Sequence, residues 1–529
     1  MVRSSQAQLS RFLGRAQNES ATNADDVHQP IYAKSKLSAL SDYEAARRAW
    51  ERTDYEDVVR LLVDRRDSRS KLLLTRTYLR LGKPQLAVDA VQKFRSANAG
   101  ERLFAELFRV TGEALLRRRG SATFPALPAR AARDLRAAHA YYRAVTLWLE
   151  GALDEAYVAA ESAVASGHGE YHVLGLDLQG RIELSRCRYP AAARRFHEVL
   201  ATLASSGQPD EYVRAIALHA LSSLAVETLR LDLLDQIRAK IVAFVPASGT
   251  ARPLASALNC LAVADGLLGD EAAAYTTLLN ARPLAAPPPF NAAVEIGLAD
   301  LFVRQGARWL AEHHLTVAER SLNETDWSHA DTEARMALLE FACSAAQLRP
   351  NSAAGALSKA LSLGGKKDPL AAFESAVAQA LAFEARGRIA LTRKNRDDAE
   401  HDLHRAIELW ESLGYHYRAA RATLVLARAA SHVPSALLKA LQREIPRSWI
   451  AVEAKRLEGK SASPLARVTP AERRVLEKIC EGKTSPQIAL ELGRSPSTIR
   501  NQTISLFRTL GVHTRAGLVA LVARERSTD

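Results

Sequence analysis

From about Leu37 to Arg443 the apolar residues recur with the period of an α-helix, and the alternation typical of a β-strand is missing. A glycine or an asparagine interrupts this pattern at irregular intervals of roughly 30–45 residues, and an alanine follows each interruption closely. The chain can therefore bury its apolar residues only by packing helices on helices. We predict an all-α protein.

One short unit recurs through this helical part. Physically, one helix ends at a turn, a second helix packs back on the first, and small alanines let the two approach closely. Such a pair cannot bury its apolar face alone, so copies stack. The pattern resembles the tetratricopeptide repeat over residues 40–430, which implies an α-solenoid; a non-repetitive helical domain is the alternative. The unit occurs at Tyr78–Ala90, Leu147–Ala156, Cys187–Ala192, Gly266–Ala273, Gly306–Ala311 and Leu391–Ala399.

Four short helices are predicted after Val468, because capping residues and glycines follow one another closely there. Pro470 fits the first position of the first helix, and Glu472 completes a capping pattern. The gap between the second and third helices is short, as a helix-turn-helix requires. The caps are Thr469, then Thr484 or Ser485, then Ser495, and the terminating glycines are Gly482 and Gly493.

The third of these helices separates its apolar residues from its polar ones. Arginine offers a fork of donors to guanine edges or to phosphates, and asparagine can pair with adenine. Ile504 is apolar on the polar face, where it either touches thymine methyl groups or packs within its own module. The apolar face holds Ile499, Thr503, Leu506 and Leu510. The opposite face holds Ser497, Arg500, Asn501, Ile504, Ser505 and Arg508.

The last helix is predicted to begin near Thr514, and it carries more apolar surface than a short terminal helix needs. A surface that pairs with a second copy of the module is one explanation. The predicted pairing residues are Leu518, Leu521 and Val522.

Residues 467–523 resemble the LuxR-type helix-turn-helix domain of bacterial transcription regulators. The resemblance implies binding of double-stranded DNA through the third helix, with Arg494, Thr498 and Arg515 placed for phosphates and Thr514 as a further DNA-binding residue. Gln502 replaces the family's usual histidine. A four-helix cap without a nucleic-acid role is the alternative reading. The matching residues are Thr469, Glu472, Val475, Leu476, Gly482, Thr484 or Ser485, Ile488, Ala489, Leu492, Ser495, Thr498, Arg500, Asn501, Leu510, Gly511, Val512, Thr514 and Arg515.

Composition agrees with a polyanionic partner, since the net charge is +13. Residues 463–529 hold eleven Lys or Arg against six Asp or Glu, a net of +5. The four cysteines lie far apart, without metal-ligand spacing, which suits buried thiols in a reducing cytoplasm. No apolar stretch reaches membrane-spanning length. We expect a cytoplasmic protein without a membrane partner.

No set of residues points to catalysis, and none points to a metal or another cofactor. The segments Gly459–Ser461 and Gly482–Thr484 hold only the tail of a phosphate-binding loop, and neither follows a strand. The pair His168 and His172 has ligand-like spacing but no third ligand in view. We therefore predict that the protein is not an enzyme.

The predicted order is a tail over 1–38, a solenoid over 39–445, a linker over 446–466 and the DNA-binding domain over 467–529. The solenoid is expected to sense a ligand or partner, with a peptide or protein in its groove, and to control the DNA-binding module. Self-association on DNA is expected, and RNA polymerase is a further candidate partner. The alternatives are an interaction scaffold with a degenerate helix-turn-helix, and an enzyme acting in the groove.

Overall fold

The computed structural model confirms the all-α prediction. It describes residues 36–116, 124–165, 169–205, 210–244, 249–285, 290–325, 332–363, 376–429, 436–461 and 468–527. Within these ranges the regular structure is α-helix, with two single 3₁₀ turns, and no strand occurs. The predicted tail over 1–38 lies outside the described residues up to residue 35, and the first helix begins at Lys36. No helix in the described part is both long and apolar enough to cross a membrane.

The chain forms two compact units, Met1–Ala419 and Ala420–Asp529. The first unit contains the long helical region that the sequence predicted. Its helices are Lys36–Glu51, Tyr55–Leu62, Ser68–Arg80, Pro84–Val91, Ala99–Leu115, Arg133–Leu149, Leu153–Ala165, Gly169–Ser185, Tyr189–Ser205, Glu211–Glu227, Leu234–Val242, Ala251–Leu267, Glu271–Ala281, Phe290–Arg304, Arg308–Glu324, Thr332–Ala345, Pro350–Ser362, Ala376–Thr392 and Arg396–Ser412.

The recurring turn joins the two helices of a pair in the same way in six pairs. At Gly82 the backbone is left-handed, with φ of 66°. The next N–H, that of Lys83, donates to the carbonyl of Tyr78 at 2.8 Å, which caps the end of the first helix. Five residues after the left-handed position a small residue is buried, so the second helix can pack closely. These pairs are Gly82 and Ala87, Gly151 and Ala156, Cys187 and Ala192, Gly269 and Ala274, Gly306 and Ala311, and Lys394 and Ala399.

Successive pairs stack through their first helices. Helix Arg133–Leu149 packs on Gly169–Ser185, and the same relation continues from pair to pair as far as Ala376–Thr392. This side-by-side packing is the architecture of a helical-repeat solenoid. The segment between Ala87 and Ala156 departs from this regular stacking of helix pairs. Helix Ala99–Leu115 is the only described helix between Val91 and Arg133, so this stretch does not hold the two regular units that its length suggests.

Contacts also join helix pairs that are far apart in the sequence of the first unit. The N–H of Gly249 donates to the carbonyl of Thr53 at 2.9 Å. The Nε of Arg418 lies 2.7 Å from a carboxylate oxygen of Glu227, and Arg418 also pairs with Glu340 at 2.5 Å. An open solenoid would have contacts only between neighbouring repeats. Here side chains from distant repeats meet and occupy part of the surface that an open groove would expose.

The second unit contains the helices that follow Ala420. The segment predicted as a linker over 446–466 needs correction, because Trp449–Ser461 is a helix that packs against Ala436–Glu444. One apolar face of this helix, with Ile450, Ala454 and Leu457, is buried, and this burial stabilises helix rather than an extended linker. Residues 462–467 lie outside the described part. The helices are the end of His416–Ala429, then Ala436–Glu444, Trp449–Ser461, Pro470–Cys480, Ser485–Glu491, Pro496–Leu510 and Arg515–Ser527.

Candidate DNA-binding module

The module comprises the last four helices, here called the first helix (Pro470–Cys480), the second helix (Ser485–Glu491), the recognition helix (Pro496–Leu510) and the last helix (Arg515–Ser527). The first helix begins with the predicted capping box. The Thr469 hydroxyl accepts from the N–H of Glu472 at 3.3 Å, and the Glu472 carboxylate accepts from the N–H of Thr469 at 3.0 Å. These bonds satisfy donors that a helix start leaves unpaired.

The turns around the second helix use the same left-handed geometry as the repeats. Gly482 and Gly493 have φ of 80° and 60°, which confirms their predicted role as helix ends. The second helix begins at the predicted cap Thr484, whose N–H donates to the side-chain oxygen of Gln487 at 2.8 Å. The N–H of Arg494 then closes the helix by donating to the carbonyl of Ala489 at 2.9 Å. This arrangement leaves the short connection that a helix-turn-helix needs.

The recognition helix begins at Ser495, whose hydroxyl accepts from the N–H of Thr498 at 3.1 Å. Pro496 occupies the first helical position, where no donor is lost. The helix ends at Gly511, which has φ of 64°. Its apolar face is buried as predicted, and the module has one core made by all four helices. The core residues are Val468, Val475, Leu476, Ile479, Ile488, Ala489, Ile499, Leu506, Leu510, Leu518 and Val522.

The opposite face of the recognition helix is exposed along its whole length. Ser497, Arg500, Ile504 and Arg508 follow one another at spacings of three or four residues and Asn501 adjoins Arg500, so the five form one stripe. The sequence left open whether Ile504 packs within its own module. The Ile504 side chain is 48% exposed, so it is not part of the module's core. The stripe combines charged, amide and apolar groups, as base-edge recognition requires.

Charge in the module is concentrated on this side. Arg494, Arg500 and Arg508 are exposed, and no carboxylate of a described residue forms an ion pair with any of them. The lysine of the first helix and the lysine of the turn that follows it differ, because Lys478 pairs with Glu481 at 2.9 Å and Lys483 pairs with Glu491. Arg494, Arg500 and Arg508 therefore place positive charge beside the recognition helix that no described carboxylate pairs with.

Three of the residues predicted to contact DNA also interact with other residues of the module. Ser505 is half-buried beside the Glu472 carboxylate, and its hydroxyl and Thr469 hold the pKa of Glu472 below its usual range. Thr514 caps the last helix, since its hydroxyl accepts from the N–H of Gly517 at 3.0 Å. Arg515 donates to the carbonyl of Lys483 and so links the last helix to the start of the second. These interactions give all three a structural role, and their contact with DNA stays a prediction.

The predicted pairing face on the last helix needs correction. Leu518 is fully buried and Val522 nearly so, both in the module's own core, and Leu521 packs against that core. The extra apolar surface of the last helix is therefore used inside the module. Val519, at 38% exposure, is the large apolar residue that this helix presents outward in its described part.

Two further exposed cations, Arg473 and Arg474, lie on the first helix and were not among the predicted site residues. The capping pattern could have identified them, because a helix that begins at Thr469 and buries Glu472, Val475 and Leu476 turns positions 473 and 474 outward. In the described residues, no group of three or more potential metal ligands occurs.

Comparison with known proteins agrees with this geometry. Residues 466–522 match the family described as bacterial regulatory proteins, luxR family. A probable transcriptional regulatory protein NarL, from two strains of Mycobacterium tuberculosis, is 44% identical over 69 residues. That match spans 13% of this chain and 32% of the length of the relative.

Two solved structures align over most of the chain at low similarity. One, the APC/C hetero-tetramer Cut9–Hcn1, is 15% identical with a TM-score of 0.27, covering 80% of this chain and 97% of that one. The other is a signal transduction ATPase with a tetratricopeptide repeat sensor from Pyrococcus horikoshii. It is 11% identical with a TM-score of 0.28, covering 98% of this chain and 91% of that one.

The family match over residues 466–522 covers the same segment as the capped, four-helix module. The protein thus carries, at the end of an all-α helical-repeat chain, a helix-turn-helix domain of the LuxR family of bacterial regulatory proteins.

Proposed function

We propose that the protein is a DNA-binding transcriptional regulator whose repeat region controls its C-terminal module. The observation that carries the DNA-binding part is the exposed stripe on the recognition helix, flanked by arginines that form no ion pair with described carboxylates. A helix of this kind fits the major groove, and its cations attract the phosphate backbone. The LuxR-family match over 466–522 supports the same function.

The stripe suggests a division of roles along the recognition helix. Arg500 reaches base edges or phosphates as a bidentate donor, Asn501 pairs with adenine, and Ile504 contacts a thymine methyl group. The hydroxyls of Ser497 and Thr498 stand at the helix start, each within 2.8 Å of the Ser495 hydroxyl. Backbone N–H groups at such a helix start attract a phosphate, so these residues set the register of the helix on DNA.

Binding as a pair on a two-fold site remains part of the proposal. A single small module buries little surface, and specific affinity usually comes from two half-sites. Since Leu518 and Val522 are core residues, the pairing surface must use other positions, such as the exposed Val519. RNA polymerase is the candidate partner through which bound protein would act on transcription.

The proposal that the repeat region controls DNA binding by the module rests on the length of that region. The first unit spans Met1–Ala419, far more than a spacer would need. Stacked helix pairs provide surfaces for ligands and partners. A ligand changes DNA binding only if it prefers one of two arrangements of the protein. A passive assembly platform is the alternative, and it predicts the same DNA affinity with and without any ligand of the repeats.

The test of DNA binding is an Arg500→Ala variant of the full chain. Loss of a good base contact costs about 1–3 kcal/mol, so we expect about tenfold or weaker binding to the selected operator. Arg308→Ala is the matched control, because Arg308 is an exposed arginine of the repeat region paired with Glu312. Thermal unfolding of both variants verifies that the fold is kept. Unchanged operator affinity in Arg500→Ala would refute the assignment of the recognition helix.

A scaffold with a degenerate module makes a different prediction. It would retain no random duplex at low salt, whereas a DNA-binding module retains duplex at low salt and releases it as salt rises. A binding assay on random duplex at two salt concentrations therefore separates these functions before any operator is known.

A further inference from the structure

A cleft of about 190 Å³ lies inside the first unit, between three repeat helices and the residue that precedes helix His416–Ala429. Its polar wall includes Arg181, His219, Ser223, Glu227 and Tyr415, and Phe196 belongs to its apolar wall. None of these residues belongs to the DNA-binding module. The cleft combines an apolar body with a few converging polar groups, as small-molecule sites do.

The polar groups are arranged along one helix. His219, Ser223 and Glu227 are spaced four residues apart on helix Glu211–Glu227, so they line one face over about 12 Å. At one end of the cleft the positive charge of Arg181 lowers the pKa of His219, and at the other end Tyr415 lies close to Glu227. The cleft therefore has two chemically different ends.

Charge at the two ends is not equivalent. At one end, the Glu227 carboxylate accepts a hydrogen bond from the Nε of Arg418 at 2.7 Å. At the other end, Arg181 donates through its Nε to the Asp177 carboxylate at 2.7 Å and is itself one of the residues that line the cleft. Burial and the cations Arg181 and Arg252 lower the pKa of His219 to about 4, so its imidazole is neutral at pH 7 and the field around it is positive.

We propose that this cleft binds a small organic carboxylate, with the carboxylate against Arg181 and His219 and an apolar body beside Phe196. Guanidinium groups hold carboxylates by charge-assisted hydrogen bonds, and a neutral imidazole can donate a further one. The Glu227 end would repel an anion, which orients the ligand with its charge away from Glu227. The proposal adds a ligand class to the regulatory role proposed above, and only its effect on DNA binding depends on that role.

The size of the cleft and the contacts around it favour a small molecule over a peptide. A cavity of about 150 Å³ can hold benzene, so the measured volume accommodates one ring or a short chain with its carboxylate. The hydroxyl of Tyr189 donates to the carbonyl of Leu413, and Arg418 pairs with Glu227. These contacts between distant repeats interrupt the groove that an extended peptide would need.

The cleft is placed to influence helix His416–Ala429. Tyr415 lines the cleft, and Arg418 in the first turn of this helix pairs with both Glu227 and Glu340. The helix contains the last residues of the first unit and the first residues of the second. A ligand that changes the position of Tyr415 therefore acts on the segment through which the chain enters the unit that carries the module.

Calorimetric titration of the full chain with benzoate and with hexanoate tests the binding step, and benzyl alcohol serves as the neutral counterpart. We expect at least one carboxylate to bind, and benzyl alcohol to bind much more weakly. Arg181→Gln should weaken carboxylate binding about tenfold, as expected for loss of a hydrogen bond to a charged group. Ala220→Leu should abolish it by filling the cleft, because Ala220 is part of the wall.

Ala272→Leu is the matched control, since Ala272 is an exposed alanine on another repeat helix. Arg181→Gln leaves Asp177 without its cation; if that variant does not fold, Ala220→Leu decides. The proposal is overturned if neither carboxylate binds, if benzyl alcohol binds equally well, or if Ala220→Leu leaves binding unchanged.

DNA affinity is then measured with and without the bound carboxylate. A change supports control through this cleft, whereas binding without any change in DNA affinity keeps the site and removes its regulatory role. Loss of DNA binding in Arg500→Ala alone would not affect the titration, so failure of the DNA-binding assignment is distinguishable from failure of the cleft proposal.

Discussion

The Ser505 hydroxyl, in the middle of the recognition helix, is the largest cause of the lowered pKa of Glu472, so it lies beside this carboxylate of the first helix. The same carboxylate accepts from the N–H and the hydroxyl of Thr469. One side chain thus caps its own helix and fixes the position of the helix that carries the exposed stripe. The geometry of the DNA-binding face depends on this residue, although Glu472 itself is buried.

The bonds to Glu472 predict a stability that depends on pH. Its pKa is lowered in the folded protein, first by Ser505 and then by Thr469. The stabilisation is therefore full above the ordinary value of 4.5 and is lost as pH falls through the lower, folded pKa. We expect Glu472→Gln to reduce this dependence while keeping the cap, and Glu472→Ala to cost about 1 kcal/mol at pH 7.

Urea unfolding between pH 3 and pH 7, followed by hydrogen exchange in the module, measures this effect. Glu477→Gln is the control, because Glu477 is an exposed residue of the same helix. An unaltered pH dependence in Glu472→Gln would contradict the role given to this carboxylate.

Asn501 and Thr498 are expected to differ in what they contribute to DNA binding. Asn501→Ala should relax base preference at one position, at a cost of about 1–3 kcal/mol on the preferred sequence. Thr498→Ala removes a hydroxyl at the helix start, so it should weaken all sequences alike. Binding to a panel of single-base operator variants separates these effects. The assignment fails if Asn501→Ala weakens every sequence equally.

Leu518 should behave as a core residue rather than as a pairing residue. Leu518→Ala removes a fully buried side chain, and we expect the free energy of unfolding of the module to fall by about 2–5 kcal/mol. Val519→Ser changes its exposed neighbour and should leave the fold intact. If Val519→Ser also leaves DNA-induced self-association unchanged, as measured by analytical ultracentrifugation, the last helix is not the pairing surface.

Two glycines of the repeat region should respond oppositely to alanine. A Cβ at Gly180 would lie 2.8 Å from ring carbons of Phe196, so Gly180→Ala should destabilise the first unit by about 1–3 kcal/mol. A Cβ at Gly355 meets nothing within 4 Å, and Gly355→Ala should stabilise by roughly 0.4–1 kcal/mol through the unfolded state. Denaturant unfolding of the two variants checks both signs. Equal effects would contradict the close helix packing at Gly180.

The sequence by itself determined the local structure of the module and of the repeat turns. Caps such as Thr469 and Ser495, the prolines after them and the glycines at helix ends act on their own backbone, so their effect does not depend on distant residues. The same is true of the buried stripe of the recognition helix, because helical period alone places Ile499 and Leu506 on one face.

Only the tertiary structure decided which apolar side chains are buried in a core and which distant repeats contact each other. Leu518 and Val522 read equally well as core or as a pairing face, and the choice depends on how the last helix packs against the other three. The helix Trp449–Ser461 and the cleft beside Tyr415 likewise depend on long-range packing. The ion pair of Arg418 with Glu227 joins residues 191 positions apart, a contact that no local pattern specifies.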